Sequence, residues 1–276
     1  MLERFDELGY AVVPGFKSAQ EIAELRAAAA AIVDAFEPPP RPPVFTTHEQ
    51  TRAVDDYFID SANEIRCFFE EESFDEQGQL RQAKALSINK IGHAMHDLHP
   101  VFGAFSRGPA LAEVARRVGL QRPRIWQSMY IFKQPGIGGE VRWHQDASFF
   151  HTTPETVTTF WFALEDATRD NGCLWVQPGG HRGPLRERFV RKGREIAMQS
   201  LDTTPWPVDD PSAVPLEVKA GTLVVFHGLL PHYSAPNRSP VSRHAYTLHA
   251  TDAQAPYSEG NWLQRPADFE ARGFVD

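Results

Sequence analysis

From residue 124 onward, short runs of β-branched and aromatic residues alternate with turns that contain glycine or proline. Breakers such as Asn171-Gly172, Pro178-Gly179-Gly180 and Ala220-Gly221 separate these runs. Many short strands with regular turn signals are typical of two facing antiparallel sheets. The pattern predicts a mainly β fold with flanking helices and a jelly-roll core. The predicted strands are residues 124–133, 156–164, 173–177, 216–218, 222–227 and 243–250.

The residues before this region favour helices. Ser18 is a predicted N-cap with Glu21 three residues on, which together make a capping box at the start of a helix over 18–36. Weaker helical patterns cover 60–72 and 95–118. At 276 residues, we expect a single domain over 1–276, with a helical part of about 1–120 packing on a jelly roll of about 121–255.

Charge and cysteine content narrow the function classes. The net charge is −8, and no block of Lys and Arg is long enough to follow a phosphate backbone, so a nucleic-acid partner is not expected. Cys67 and Cys173 make no disulfide framework and have no metal-ligand spacing. The first residues show no signal-peptide pattern, and no apolar run has membrane-spanning length. We therefore expect a cytoplasmic protein, without a membrane partner, that acts on a small molecule.

A His-x-Asp pair, His144 and Asp146, indicates a metal site. On an extended strand, residues two apart point to the same face, so both side chains would enter one cavity. Two histidines and one carboxylate hold one face of iron(II) and leave the other face open. The pair alone is weak evidence, because this dipeptide spacing occurs by chance on many surfaces.

A third ligand must come from a distant histidine. The candidates are His227, His232, His244 and His249. Strand register cannot choose among them, because Pro231 interrupts the pattern. Arg243 favours His232, since it follows eleven residues later, beyond a predicted hairpin turn. An iron(II) oxygenase that depends on 2-oxoglutarate needs such an arginine. The planar guanidinium would match the far carboxylate of this cosubstrate with two hydrogen bonds. His227 is expected to be a core histidine.

The sequence contains two other groups of residues that are candidates for a functional role. His93, His96 and His99 are spaced three apart, but no Cys or Glu completes a zinc site, and we expect His96 to line the mouth of the active site instead. Several aromatic residues could form an apolar substrate wall or equally fill the core: Trp126, Phe132, Phe149, Phe150 and Trp175. The segment from Gly183 to Val214 is a candidate lid or substrate wall.

The chain resembles the phytanoyl-CoA dioxygenase family over most of its length. The most telling stretch is His144-Gln145-Asp146-Ala147-Ser148-Phe149. The other matching stretches are 87–94, 127–135, 139–141, 165–168, 171–175, 245–247 and 261–264. The resemblance implies a cupin-like, double-stranded β-helix core. It also implies that His144, Asp146 and His232 bind iron.

The resemblance also implies a cosubstrate pocket. Arg243 and Ser234 would hold the distal carboxylate of 2-oxoglutarate, and Lys90, Met129 and Trp161 would line the pocket. The hypothesis is an Fe(II)- and 2-oxoglutarate-dependent dioxygenase that uses O2, with ascorbate as an optional reductant. It would oxidise, by default hydroxylate, an unactivated C–H bond and release succinate and CO2. The alternatives are a non-catalytic module that binds metal and 2-oxoglutarate, and a cupin-like metal-dependent isomerase.

Overall fold

A computed structural model describes residues 2–45 and 56–275. Its strands form two antiparallel sheets and a separate hairpin. In chain order the strands are β1 (Tyr10–Val13), β2 (Ile65–Phe69), β3 (Ile88–His93), β4 (Pro123–Ile131), β5 (Val141–His144), β6 (Thr158–Ala163), β7 (Leu174–Val176), β8 (Glu187–Lys192), β9 (Glu195–Ser200), β10 (Val214–Leu216), β11 (Leu223–His227), β12 (His232–Ser234) and β13 (Ala245–Asp252).

The larger sheet has the strand order β1-β11-β6-β13-β4-β3-β2, and the smaller sheet has the order β10-β7-β12-β5. Non-consecutive strands are neighbours in both sheets, so the chain crosses repeatedly from one sheet to the other. Strands β8 and β9 pair only with each other. The prediction of a mainly β, cupin-like jelly roll is confirmed.

The helices precede the jelly roll or connect its strands. In chain order they are α1 (Phe5–Leu8), α2 (Ala19–Ala35), α3 (Asp56–Asp60), α4 (Met95–Leu98), α5 (Pro100–Phe105), α6 (Pro109–Arg117) and α7 (Ala147–Phe150). The predicted capping box of α2 is present, with Ser18 Oγ accepting from the Glu21 amide and Glu21 accepting from the Ser18 amide.

Two helix predictions were wrong. The segment 60–72 contains strand β2, whose Cys67, Phe68 and Phe69 are buried against the fold. The predicted helix 95–118 is three short helices, because Pro100 and Pro109 each start a new one at a position where a missing amide is tolerated. The N-terminal third is therefore mixed, since β1, β2 and β3 extend the larger sheet.

Strand β13 is buried on both faces, and this burial positions the site. Tyr246 and Leu248 pack with Phe102 and Phe105 of α5 in the main hydrophobic core. Thr247 and His249 alternate with them and line a cavity between the two sheets. Because successive residues of a strand point to opposite faces, one strand serves both the core and the cavity.

The described helices are too short or too polar to span a lipid bilayer.

Candidate metal centre and cosubstrate pocket

His144, Asp146 and His232 converge at one end of the cavity, and their ligand atoms all lie within 4.8 Å of one another. His144 and His232 are paired across strands β5 and β12, and their ring centroids lie 4.0 Å apart. Nε2 of His144 is 3.5 Å from Oδ1 of Asp146, and Nε2 of His232 is 3.7 Å from Oδ2. Among the described residues, this is the one cluster of potential metal ligands.

Backbone carbonyls fix the tautomers of both histidines. Nδ1 of His144 donates to the carbonyl of Arg142 at 2.7 Å, and Nδ1 of His232 donates to the carbonyl of Leu230 at 3.0 Å. A carbonyl can only accept, so each neutral ring carries its proton on Nδ1 and presents a bare Nε2. This arrangement is usual for histidines that bind a metal. Burial, followed by the charge of His144, lowers the pKa of His232 to about 4.

Asp146 is buried and ionised. Burial alone would raise its pKa, but the nearby His232 and His249 rings outweigh burial and hold the pKa well below its usual value. Its Oδ2 accepts a 2.5 Å hydrogen bond from Thr159 Oγ1 and lies 3.5 Å from Nε2 of His249. The carboxylate is thus oriented from the side opposite to His144.

The backbone between His144 and Asp146 is not the extended strand that was predicted. Strand β5 ends at His144, and Asp146 has helical dihedral angles at the start of α7. Gln145 holds this bend, because its amide donates to the carbonyls of Pro184 and Leu229 and accepts from the Arg186 amide. Sequence reasoning missed Gln145, although the middle residue of a His-x-Asp pair must point away from the metal.

The remaining histidine candidates lie in different surroundings. His244 faces the main core, where Nδ1 is 2.8 Å from the Tyr130 hydroxyl. His227 accepts from the Leu229 amide, in agreement with the predicted structural role. His249 lines the cavity beside Asp146, a position the sequence left open. The prediction for His96 was wrong: this side chain is buried against Ser128 and Asp97, and His93 lines the cavity instead.

Arg243 is 1% exposed and reaches the cavity from the larger sheet. Its Nε donates to the carbonyl of Gly172 and its Nη2 donates to Ser234 Oγ, whereas Nη1 has no hydrogen-bond partner among the described residues. Burial lowers the pKa of Arg243 to about 10, so the guanidinium remains charged at neutral pH. A buried cation with a free N–H in a cavity is suited to a carboxylate ligand.

The predicted hairpin between His232 and Arg243 was wrong. Strand β12 pairs with β5 and β7 in the smaller sheet, whereas β13 lies in the larger sheet. Arg243 meets Ser234 across the gap between the sheets. The two residues are therefore close because the jelly roll closes, and the turn between them only carries the chain across.

Lys90, Met129 and Trp161 also line the cavity, on β3, β4 and β6. Nζ of Lys90 lies 3.2 Å from the centroid of the Phe45 ring, a cation–π contact. Thr247 of β13 stands directly between Met129 and Trp161 in the strand register. The structure thus brings all five predicted cosubstrate residues to one cavity with the metal cluster.

The cavity has a volume of about 650 Å³. Phe149, Phe150 and Trp175 line it and also pack in apolar clusters, so both of the roles that the sequence left open apply to them. Trp126 instead stacks on Tyr257, and Phe132 packs against Tyr130 in the main core. The segment 183–214 forms the β8–β9 hairpin and a following loop, and it contributes cavity-lining residues that include Glu187, Met198 and Trp206–Asp210.

The residues present fit a bound ferrous ion and a dicarboxylate cosubstrate. Two bare imidazole nitrogens and an ionised carboxylate converge, and the same cavity is lined by a guanidinium whose Nη1 has no hydrogen-bond partner within 2–45 and 56–275. A jelly roll with this arrangement defines the non-haem iron oxygenases that depend on 2-oxoglutarate.

Comparisons with known proteins identify the family. The model for phytanoyl-CoA dioxygenase (PhyH) matches residues 5–245, and the chain belongs to this family. It is 48% identical to phytanoyl-CoA dioxygenase 1 of Oryza sativa subsp. japonica, over 96% of this chain and 92% of that protein. It is 42% identical to phytanoyl-CoA dioxygenase domain-containing protein 1 of Bos taurus, over 95% and 93%.

A solved structure shares the fold. The crystal structure of EctD from S. alaskensis with 2-oxoglutarate and 5-hydroxyectoine has a TM-score of 0.65 and 21% sequence identity, and the match covers 100% of this chain and 86% of that chain. The family resemblance found in the sequence is therefore confirmed by relatives of nearly equal length, and the fold by a distant structure.

Proposed function

We propose that this enzyme oxidises, by default hydroxylates, an unactivated C–H bond of a small and largely apolar organic substrate. In this proposal His144, Asp146 and His232 bind Fe(II), and the reaction consumes O2 and 2-oxoglutarate and releases succinate and CO2. The observation that carries the proposal is the convergence of these three ligand atoms in a cavity that Arg243 also lines, where its Nη1 has no hydrogen-bond partner in the described part of the chain.

The protein's own groups have separate tasks. The Nδ1 hydrogen bonds of His144 and His232 keep both Nε2 atoms available to the metal. Arg243 and Ser234 hold the distal carboxylate of 2-oxoglutarate, while Lys90, Met129 and Trp161 wall the pocket and exclude water. Bound iron(II) and 2-oxoglutarate supply the oxidising chemistry, and the protein supplies orientation.

The proposal also includes the domain organisation, the cellular compartment and the size of the substrate. Strands β1, β2 and β3 complete the same sheet as the later strands, which supports one domain over 1–276. Cys67 and Cys173 are buried and free, which supports a reducing compartment such as the cytoplasm. The cavity is of a size that suits a small molecule.

The test is O2-dependent release of succinate from 2-oxoglutarate with added Fe(II) and ascorbate, with a metabolite extract as the source of substrate. We expect Asp146→Ala to reduce this release at least about 100-fold. Residues that only hydrogen-bond to a metal ligand typically contribute about 10–100-fold to metal affinity or activity, and a direct ligand such as Asp146 should contribute more. Wild-type turnover by Asp146→Ala would contradict the proposal. A protein that binds Fe(II) and 2-oxoglutarate but releases no succinate would be a binding module.

Arg243→Leu tests the proposed binding of 2-oxoglutarate. Loss of a buried cation that pairs with a carboxylate should raise the concentration of 2-oxoglutarate needed for half-maximal release by at least about tenfold. The affinity for Fe(II) alone should stay close to that of the wild type. An unchanged requirement for 2-oxoglutarate would favour a metal-dependent isomerase, which does not need to bind a dicarboxylate.

A further inference from the structure

Two parallel rows of side chains cross the cavity face of the larger sheet. In the first, the Met129 row, Thr247 of β13 pairs in register with Met129 of β4 on one side and Trp161 of β6 on the other. In the second, the Gln127 row, His249 pairs in the same way with Gln127 and Thr159. All six side chains line the cavity. The rows are two residues, or roughly 7 Å, apart along each strand.

The rows lie at different distances from the two ends of the cavity. Arg243, four residues before Thr247, marks the end that holds the distal carboxylate in the proposed function. The Gln127 row is at the metal end, because Thr159 donates to Asp146 and His249 Nε2 lies 3.5 Å from the same carboxylate. The Met129 row therefore borders the cosubstrate. The Gln127 row lies beyond it, where a substrate must approach the metal.

The side-chain amide of Gln127 has no role in the proposed function. It is 5% exposed, it lines the cavity, and its side chain makes no hydrogen bond to any described residue. An amide in the wall of a cavity is available to bind a ligand or water. Its neighbour in the row, His249, likewise has a buried Nδ1 without a partner among the residues described.

His93 adds a hydrogen-bond acceptor to the lining of the same cavity. It is paired with Ser128, the residue after Gln127 along β4. The single hydroxyl proton of Ser61 goes to the carbonyl of Phe58 at 2.5 Å, so Ser61 Oγ must accept from His93 Nδ1, 2.8 Å away. Burial and then the charge of Lys90 hold the pKa of His93 well below its ordinary range, so the ring is neutral. Its Nε2 is therefore a bare acceptor.

Aromatic rings surround these polar atoms. Phe58 and Trp262 are stacked with centroids 4.7 Å apart, and the Trp262 ring is 5.3 Å from that of His93. Phe150 stacks on His249 at 4.9 Å. A few polar atoms in an apolar wall are typical of pockets that orient one end of a small molecule and bury the rest.

We propose that Gln127 and His93 bind a hydrogen-bond-donating head group of the substrate, a hydroxyl or an amine, while its apolar body lies on Phe58, Phe150 and Trp262. This inference rests on the proposed function and specifies its substrate class. His93 supplies Nε2, which only accepts, whereas the amide of Gln127 can accept through its carbonyl or donate through its NH2. A hydroxyl or an amine can therefore donate to His93 and also bond to Gln127, whereas an ether can accept from Gln127 but leaves His93 Nε2 without a donor.

The experiment uses three probes with the same number of heavy atoms: phenylbutanol, phenylbutylamine and phenylpropyl methyl ether. Each is titrated without oxygen by calorimetry into the protein that carries Fe(II) and 2-oxoglutarate. We expect the alcohol and the amine to bind about tenfold more tightly than the ether, the usual worth of a buried hydrogen bond or two. His93→Phe should reduce this preference to about twofold or less, and Gln127→Leu should weaken the binding of all three probes by about fivefold, with the affinity for 2-oxoglutarate retained in both variants.

Two further variants keep the result informative. Gln127→Glu should shift the preference toward the amine, because a carboxylate favours a cationic donor. Thr247→Val, in the Met129 row, should weaken 2-oxoglutarate binding and leave the preference for donors unchanged. A preference that survives in His93→Phe, or probe binding that is unchanged in Gln127→Leu, would overturn the inference, as would equal binding of the three probes to the wild type or binding of none. Failure of the wild type to bind Fe(II) or 2-oxoglutarate would instead overturn the proposed function.

Discussion

At the scale of single residues, the carboxylate of Asp146 depends on neighbours that do not touch the metal. Thr159 Oγ1 donates to Oδ2 at 2.5 Å, and Thr159 is 1% exposed, so no water can replace this bond at low cost. We predict that Thr159→Val weakens the binding of Fe(II) by about tenfold, because the freed carboxylate can rotate away from His144 and His232. Anaerobic titration of the metal-free protein measures this affinity.

The neighbouring threonine provides the control. Thr158 is also buried, but it alternates with Thr159 along β6, and its hydroxyl donates to the Thr156 carbonyl. Thr158→Val makes the same chemical change on the other face of the strand and should leave the affinity for Fe(II) within about twofold of the wild type. Equal loss in both variants would show that the strand, and not the bond to Asp146, is responsible.

At the scale of elements, the turn that carries Gly172 joins the cosubstrate pocket to the sheets. Gly172 has φ +82°, and a Cβ there would lie 2.6 Å from Lys133 Cε and 2.7 Å from the Ala235 carbonyl. Its own carbonyl accepts from Arg243 Nε and Ser234 Oγ. We predict that Gly172→Ala lowers the free energy of unfolding by about 3 kcal/mol and weakens 2-oxoglutarate binding, because the turn must shift. Urea unfolding and cosubstrate titration measure the two effects.

Gly193, in the β8–β9 turn, provides a control that separates the effect of backbone strain from the effect of the steric clash at Gly172. Its φ is +66°, but a Cβ at this position would meet no atom of the described residues within 4 Å. Gly193→Ala should therefore cost only the strain of the left-handed backbone, about 1 kcal/mol, and leave 2-oxoglutarate binding intact. If the two variants lose equal stability, the contacts of Gly172 with Lys133 and Ala235 are not important.

Elements with a complete local signal could be predicted from the sequence, and the others could not. Helix α2 has its capping box, and β4 and β6 have aromatic runs bounded by breakers, so local patterns were enough. Strand β12 has only three residues after Pro231, and β2 pairs with β3 about twenty residues away. Their structure depends on partners far along the chain, which outweigh local propensity.

At the scale of the whole molecule, the site exists because both sheets close around one cavity. His144 and His232 come from the smaller sheet, whereas Arg243, Thr159 and His249 come from, or directly precede, strands of the larger one. Spacing could indicate a His-x-Asp pair and an arginine, but it could not place His249. The facing of a strand residue is set by register with its neighbours, and a single sequence does not contain that information.

The fold also holds a half-buried histidine, His227, in its neutral form beside His181, which couples folding to pH. Burial, with a smaller contribution from His181, lowers the pKa of His227 to about 4, against 6.5 in an unfolded chain. Its Nδ1 accepts from the Leu229 amide, and this bond is lost when the ring takes up a second proton. Between these two pKa values the unfolded chain binds more protons than the folded one. The free energy of unfolding therefore rises with pH over this interval, and the contribution of His227 is lost as the pH falls toward 4.

We predict that His227→Gln makes this dependence shallower by about one proton, or about 1.4 kcal/mol per pH unit near pH 5. Glutamine retains an acceptor for the Leu229 amide but does not titrate, so stability at pH 7.5 should change little. Urea unfolding of metal-free wild type and variant from pH 4.5 to 7.5 measures both slopes. Parallel slopes would mean that His227 titrates alike in both states, and that its surroundings in the fold do not keep this ring neutral.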